Sequence, residues 1–235
     1  MNLTTRFGRS LRGVVVAVFV ACALAWSSGA ANASLLASGA TIAASPAADA
    51  GGTQLAQDLT ESITPNGPAG LVGTLTSTAT DDDASNPWVN GTYGSNPAAL
   101  TFVFQIANSG SSASEIQTLS LNGFTGYGIS ASFITSAGLT APVLISRPNG
   151  GGVDVVKFSF SPSNFGAGVT STELVLQTNA TEFAAASAAI NGTGPLQGNA
   201  PTFMPAPEPS SLVLLSLGAM GLASVARRRA RIPSA

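Results

Sequence analysis

The feature that most constrains the fold is a strict alternation of apolar and polar positions in the middle of the chain. In one stretch every second position is apolar, at Leu100, Phe102, Phe104 and Ile106. Side chains of a β-strand point alternately to opposite faces, so this spacing predicts a strand with one buried face. The same spacing recurs in residues 127–133, 156–160 and 174–177. The middle of the chain is therefore predicted to be a set of short, half-buried strands.

Turn-forming residues separate these stretches. Asn-Gly pairs begin at Asn66, Asn90, Asn122, Asn149 and Asn191, and Asn-Gly tolerates the positive φ angles of tight hairpin turns. No convincing long helical pattern lies between the predicted strands. We therefore predict an all-β fold over residues 70–190, an antiparallel β-sandwich of jelly-roll or immunoglobulin-like type.

The segments that flank residues 70–190 carry weaker patterns. Residues 34–69 are predicted to be loosely ordered, and the spacing of Leu55, Leu59 and Ile63 fits a short helix and a strand equally well. An alanine-rich stretch after Phe183 fits a short helix. Residues 191–206 are rich in Gly, Pro and Asn, and are predicted to be a linker.

The first 33 residues have the three parts of a secretory signal peptide. A basic start with three arginines precedes an uncharged apolar run at residues 13–26, which is too short to span a membrane comfortably. Ala31 and Ala33 form an A-x-A cleavage site, and the cut is predicted before Ser34. The chain is therefore expected to cross the inner membrane through the general secretion translocon.

The end of the chain, residues 207–231, has four features in a fixed order. Pro207, Glu208 and Pro209 come first and disfavour a helix. Residues 210–226 follow without a charge and are predicted to be a single transmembrane helix of about 25 Å. A basic cluster comes last and is expected to stay in the cytoplasm by the positive-inside rule; its residues are Arg227, Arg228, Arg229 and Arg231.

This order resembles the PEP-CTERM sorting tail of Gram-negative bacterial proteins, which some collections also label the ice-binding-protein C-terminal domain. Members commonly carry Val before the motif, where this chain has Ala206. The resemblance implies recognition by an exosortase, a membrane protease-transpeptidase, after a transient stay in the inner membrane. It also implies a protein of the cell surface or extracellular matrix, linked to exopolysaccharide and biofilm.

Groups that commonly carry catalysis are scarce. The chain has no histidine, and its one cysteine, Cys22, lies in the predicted signal peptide. Ser-His-Asp triads and cysteine-type zinc sites are therefore absent, and we predict that the protein is not an enzyme and has no cofactor. Residues 34–206 hold two basic and ten acidic residues, a formal charge of −8, so nucleic acid is not an expected partner. A structural or adhesive role follows as the main hypothesis.

Three alternatives stay open. Three adjacent acids, Asp81, Asp82 and Asp83, repel one another, and a bound calcium ion would neutralise that repulsion. With Trp88 nearby, they suggest a small calcium- or glycan-binding module. The same acids, paired with a distant carboxylate such as Glu115 or Asp154, would suit a hydrolase. A row of threonines at every second position suggests ice binding, although a row on an exposed edge strand is the ordinary explanation; it comprises Thr74, Thr76, Thr78 and Thr80.

Overall fold

The structure is a computed structural model that describes residues 34–47, 51–55, 59–66, 70–150, 153–161 and 163–206. The predicted signal peptide at residues 1–33 and the predicted tail at residues 207–231, with its helix at 210–226, lie outside the described residues. Among the residues that are described, every regular element is a strand. None of them belongs to a helix long and apolar enough to cross a membrane.

The described residues form sixteen strands, which follow one another in chain order. They are β1 (Ser34–Leu35), β2 (Thr41–Ala43), β3 (Thr53–Gln54), β4 (Leu59–Ser62), β5 (Thr64–Pro65), β6 (Gly73–Asp81), β7 (Thr101–Asn108), β8 (Ile116–Leu121), β9 (Ile129–Ile134), β10 (Leu144–Ser146), β11 (Asn149–Gly150), β12 (Val153–Asp154), β13 (Val156–Ser159), β14 (Glu173–Thr178), β15 (Phe183–Gly192) and β16 (Gln197–Pro205).

Two seven-stranded sheets contain all but two of these strands. The first sheet has the order β1-β9-β14-β7-β6-β3, with β4 also paired to β6, and the second has the order β2-β10-β13-β8-β15-β16-β5. Neighbouring strands are antiparallel throughout, and β11 and β12 form a separate small hairpin. The predicted all-β sandwich is confirmed; its jelly-roll or immunoglobulin-like type stays a prediction.

The core lies between the two sheets, where the predicted alternation places the apolar side chains. In the first sheet Leu174 lies directly between Phe104 and Phe133 on its neighbouring strands. In the second sheet Leu119 lies between Phe158 and Ile190. These side chains are buried, and burying one of this size stabilises the fold by about 1.5–3 kcal/mol. The two facing apolar layers therefore hold the sandwich together.

The predicted linker at residues 191–206 is wrong, because this stretch contains β16. Strand β16 pairs with β15 at nine consecutive positions, from Phe183 opposite Pro205 to Asn191 opposite Gln197. Its small residues are there for packing: a Cβ added to Gly198 would lie 2.4 Å from Cγ2 of Ile63. The glycine at this position therefore marks close packing between strands and not a flexible linker.

Two other expectations are corrected in the same way. The alanine-rich stretch after Phe183 is the strand β15, where Ala188 and Ile190 point into the core, and small alternating residues suit a crowded sheet as well as a helix. Residues 34–69 are not loosely ordered where they are described, since β1 to β5 all pair with strands of the two sheets. Ile63 is buried in the core, and the stretch around Leu59 is strand β4.

Candidate functional site

One end of the sandwich gathers most of the residues that the sequence singled out. The register places the end of β6, the start of β7, the end of β14 and the start of β9 side by side: Thr80 pairs with Thr101, which pairs with Gln177, which pairs with Ser130. We call this the exit end. It comprises Ala206 and the loops that follow β6, β8, β10 and β14.

Asp83 is the centre of a buried polar cluster at the exit end. Its side chain is fully buried. One carboxyl oxygen accepts hydrogen bonds from the backbone and hydroxyl of Ser85, at 2.9 and 2.8 Å, and from the backbone of Gly51, at 3.3 Å. The other accepts from the Thr101 hydroxyl at 2.8 Å and the Gln177 amide at 3.3 Å. Asp83 thus ties the loop after β6 to β7 and β14.

The three adjacent acids do not converge on one point. Asp81 is the last residue of β6 and lies opposite Thr53, whereas Asp82 is exposed and adopts a left-handed backbone with φ of 53°. Asp83 has both of its oxygens occupied by protein donors. Within the described part of the chain, no group of three or more His, Cys, Asp or Glu side chains is arranged to hold a metal ion. The geometry therefore does not favour calcium here, and calcium binding stays a prediction.

Asn86 fixes the course of the same loop. Its buried side-chain amide donates to the carbonyl oxygens of Leu100 and Thr178, at 3.2 and 3.3 Å, and to the Thr101 hydroxyl at 3.1 Å. Its side-chain oxygen accepts from the backbone of Trp88 at 3.0 Å. A long loop would ordinarily be variable, but these bonds anchor the first half of this one to two strand ends.

The anchored loop presents two aromatic rings. The ring centroids of Trp88 and Tyr93 are 5.6 Å apart with the planes tilted by 46°. Tyr93 is 53% exposed, while Trp88 is half-buried against Gly128, where an added Cβ would lie 2.5 Å from Cζ2 of the indole. The glycine therefore makes room for the indole, and the pair forms an exposed aromatic patch at the exit end.

A second buried cluster surrounds Arg147. Its guanidinium forms an ion pair with Asp154 at 2.8 Å, and both side chains are at most 15% exposed. It also donates to the backbone carbonyls of Leu36, Phe124 and Tyr127, at 3.2, 2.9 and 3.0 Å. Arg147 thus joins the residue after β1 to two loops of the exit end. Because Asp154 is held in this way, it has a structural role.

The sequence contained one signal for this cluster that the prediction did not use. Arg147 is the one arginine between the predicted signal peptide and the predicted tail. In a segment with so few cations, an arginine that follows the apolar residues 143–145 so closely indicates a specific partner. That partner, Asp154, was named only as a distant carboxylate for hydrolysis. The carboxylate of Asp154 bonds to Ser38 and Arg147. None of the bonds among the described residues joins it to Asp81, Asp82 or Asp83.

The last described residue, Ala206, is also held at the exit end. The hydroxyl of Tyr127 donates to the Ala206 carbonyl, and the Ala206 amide donates to the carbonyl of Glu182 at 3.0 Å. The folded domain therefore continues without interruption to the residue before Pro207. This arrangement leaves no spacer between the sandwich and the predicted sorting tail.

The threonine row lies on the outward face of β6, as its spacing predicted. The strand is not at an edge, however, because β7 pairs with one side of it and β3 and β4 pair with the other. The hydroxyls of Thr76 and Thr60 are 3.0 Å apart, and the four threonines are partly buried. The edge-strand explanation of the row is thus wrong, and ice binding stays a prediction.

Comparison with known proteins bears on the segment that follows Ala206. A family model described as the PEP-CTERM protein-sorting motif matches residues 205–229. The chain carries a PEP-CTERM sorting motif. The matched residues include Pro207, Glu208 and Pro209, and the first three arginines of the basic cluster. No curated protein and no solved structure matches the chain.

The PEP-CTERM motif suggests that the protein is exported and processed by an exosortase, and it implies membrane-anchored sorting toward the cell surface. The motif begins at the end of β16, since residues 205 and 206 belong both to the matched region and to the described fold. The sorting region and the sandwich therefore meet directly at the exit end.

Proposed function

We propose that the protein is a structural or adhesive component of the cell surface or extracellular matrix, released from the inner membrane by an exosortase. The single observation that carries this proposal is the PEP-CTERM motif at residues 205–229. The association of that motif with exopolysaccharide and biofilm supports a matrix role. The β-sandwich, stabilised by its own core and without a cysteine after Cys22, suits a domain exposed outside the cell.

The route in this proposal starts with the translocon. Residues 1–33 act as a signal peptide that is cut before Ser34, with Ala31 and Ala33 as the recognised small residues. Residues 210–226 then stop transfer as a transmembrane helix, and the basic cluster stays in the cytoplasm. The sandwich is left outside the membrane, attached only by its exit end until the exosortase acts.

The proposal assigns no enzymatic activity to the sandwich. It is supported by the lack of histidine in the chain and by the roles of two acids that a hydrolase would need. Asp83 holds a loop through five hydrogen bonds, and Asp154 holds Arg147. A carboxyl group that anchors its own fold is poorly placed to transfer protons to a substrate.

Deletion of the exosortase in the native host tests the proposal. We expect the protein to remain in the inner membrane with a mass that includes residues 227–231, and to reappear at the surface when the enzyme is restored. Replacing Glu208 with Gln should reproduce the retention, whereas Glu182→Gln, an exposed acid of the sandwich, should not. Release of a product with unchanged mass from cells that lack the exosortase would show that the proposal is wrong.

A further inference from the structure

The distance between the exit end and the membrane is set by very few residues. The fold ends at Ala206, and the uncharged run begins at residue 210. Whatever their conformation, the four chain steps from Ala206 to residue 210 span at most about 14 Å. If residues 210–226 cross the membrane, as the proposed function holds, the exit end must stand against the outer surface of the bilayer.

The aromatic patch of Trp88 and Tyr93 lies at this same end. The connection is short: Tyr127 holds Ala206 through its hydroxyl, and the next residue, Gly128, supports the indole of Trp88. The patch is also preorganised, because Asp83 and Asn86 fix the loop that carries it. Aromatic residues make up only 6% of the chain. A pair of partly exposed aromatic rings next to the predicted membrane anchor therefore indicates a contact surface.

We infer that Trp88 and Tyr93 contact the outer interface of the lipid bilayer while the tail is anchored. Trp and Tyr prefer this region because their rings are apolar and their polar atoms reach water. The inference rests on the proposed function, because it needs residues 210–226 in the membrane. The contact fixes how the sandwich stands while the exosortase acts, and it ends when the tail is cut.

The charges at the exit end indicate which lipids are suited. Asp82 and Glu182 are exposed there, and the segment from residue 34 to 206 has a formal charge of −8. Acidic side chains are repelled by anionic headgroups. The expected partner of the patch is therefore a zwitterionic surface such as phosphatidylcholine, and added phosphatidylglycerol should weaken the contact.

Tryptophan fluorescence tests the inference, because the chain has two tryptophans and one, Trp26, lies in the predicted signal peptide. The anchored protein is purified from cells that lack the exosortase, and since the signal cut removes Trp26, Trp88 alone reports. It is reconstituted in phosphatidylcholine vesicles with or without bromine on the lipids near the headgroups. We expect the brominated lipid to reduce the Trp88 emission at least twofold.

A matched variant separates contact from mere tethering. Inserting twenty Gly and Ser residues after Ala206 keeps the anchor but lets the exit end move away, so the loss of emission should largely disappear. Exchanging Tyr93 with Ala should reduce it in part, and adding phosphatidylglycerol should do the same. Equal emission in brominated and ordinary vesicles would overturn the inference.

Flotation of the vesicles distinguishes failure of the inference from failure of the proposed function. If the protein floats with the vesicles and resists carbonate extraction, the tail is anchored, and the fluorescence alone decides whether the aromatic patch touches lipid. If the protein does not float, the anchor itself is refuted and the inference falls with it. Floating protein whose Trp88 emission drops is the result expected here.

Discussion

Two buried ionisable side chains at the exit end are stabilised in different ways. Asp83 has no cationic partner among the residues that the structure describes, and its five hydrogen bonds there come from neutral donors. Arg147 has a carboxylate partner, Asp154, and three backbone carbonyls. The partners of Asp83 lie in or beside the first sheet, whereas Arg147 follows β10 of the second sheet and reaches Leu36, which follows β1 of the first.

This difference teaches what each cluster does for the fold. The Asp83 cluster holds one loop against one sheet, so removing its hydrogen bonds should destabilise mainly that loop. The Arg147 cluster joins the residue after β1, the loop after β8 and the hairpin of β11 and β12. Removing it should therefore destabilise the whole sandwich. Residues 127 and 128 lie between the two clusters. The carbonyl of Tyr127 accepts a hydrogen bond from Arg147, and Gly128 contacts Trp88 on the loop that Asp83 holds.

The largest effect is expected for Arg147→Met. The change keeps much of the apolar volume but leaves Asp154 without its counter-charge and three carbonyls without a donor. We expect the free energy of unfolding to fall by about 4 kcal/mol. Urea unfolding of the protein after removal of residues 1–33, followed by Trp88 fluorescence, measures it. Lys157→Met, which removes the other cation of the sandwich, is the control; equal losses for the two variants would contradict the role given to Arg147.

A smaller loss, about 2–3 kcal/mol, is expected for Asp83→Ala, because several buried donors lose their acceptor. The damage should be confined to the loop after β6. Hydrogen exchange should rise at Ser85 and its neighbours and stay unchanged near Leu36. Glu182→Ala, at an exposed acid, should have little effect. A uniform rise in hydrogen exchange across both sheets would mean that Asp83, like Arg147, stabilises the whole sandwich.

The sequence predicted the parts of the fold that depend on local pattern. Alternation identified β7, β9, β13 and β14, and the order of features at the end of the chain identified the sorting motif. It failed at β16, because small residues that let strands approach closely look the same in sequence as a flexible linker. It also failed at Arg147, because a contact across more than a hundred positions leaves no periodic trace.

The candidate site shows the same limit. The three adjacent acids were predicted to form one site. In the structure they have different environments, because Asp81 lies in the strand, Asp82 is exposed and Asp83 is buried. Adjacency in a strand or turn does not bring side chains together. The approach of Trp88 to Gly128, forty positions apart, depends on the register of the sheet and could not be predicted from either residue.

An intermediate effect, about 2 kcal/mol of destabilisation, is expected for Gly128→Ala, since the added methyl overlaps the indole of Trp88. The emission maximum of Trp88 should shift to longer wavelength as the ring is pushed into water. Gly110→Ala, where an added Cβ meets no atom within 4 Å, is the matched control. An unchanged spectrum for Gly128→Ala would remove the link between the two clusters.

The smallest effect is expected for Tyr127→Phe, which removes one hydrogen bond to Ala206 at a cost of about 1 kcal/mol. The change should appear as faster hydrogen exchange and earlier proteolysis at the end of β16, with the rest of the sandwich unaltered. Tyr93→Phe makes the same chemical change at an exposed ring and should leave β16 as it is. If both variants behave alike, Tyr127 does not hold the tail junction.

Intact mass spectrometry of the mature protein from its native host tests the central claim, that a sandwich ending at Ala206 is followed at once by a tail that is cut away. The predicted product begins at Ser34, contains the whole of β16 and lacks residues 227–231. A mature product that still ends in the arginine cluster would contradict it.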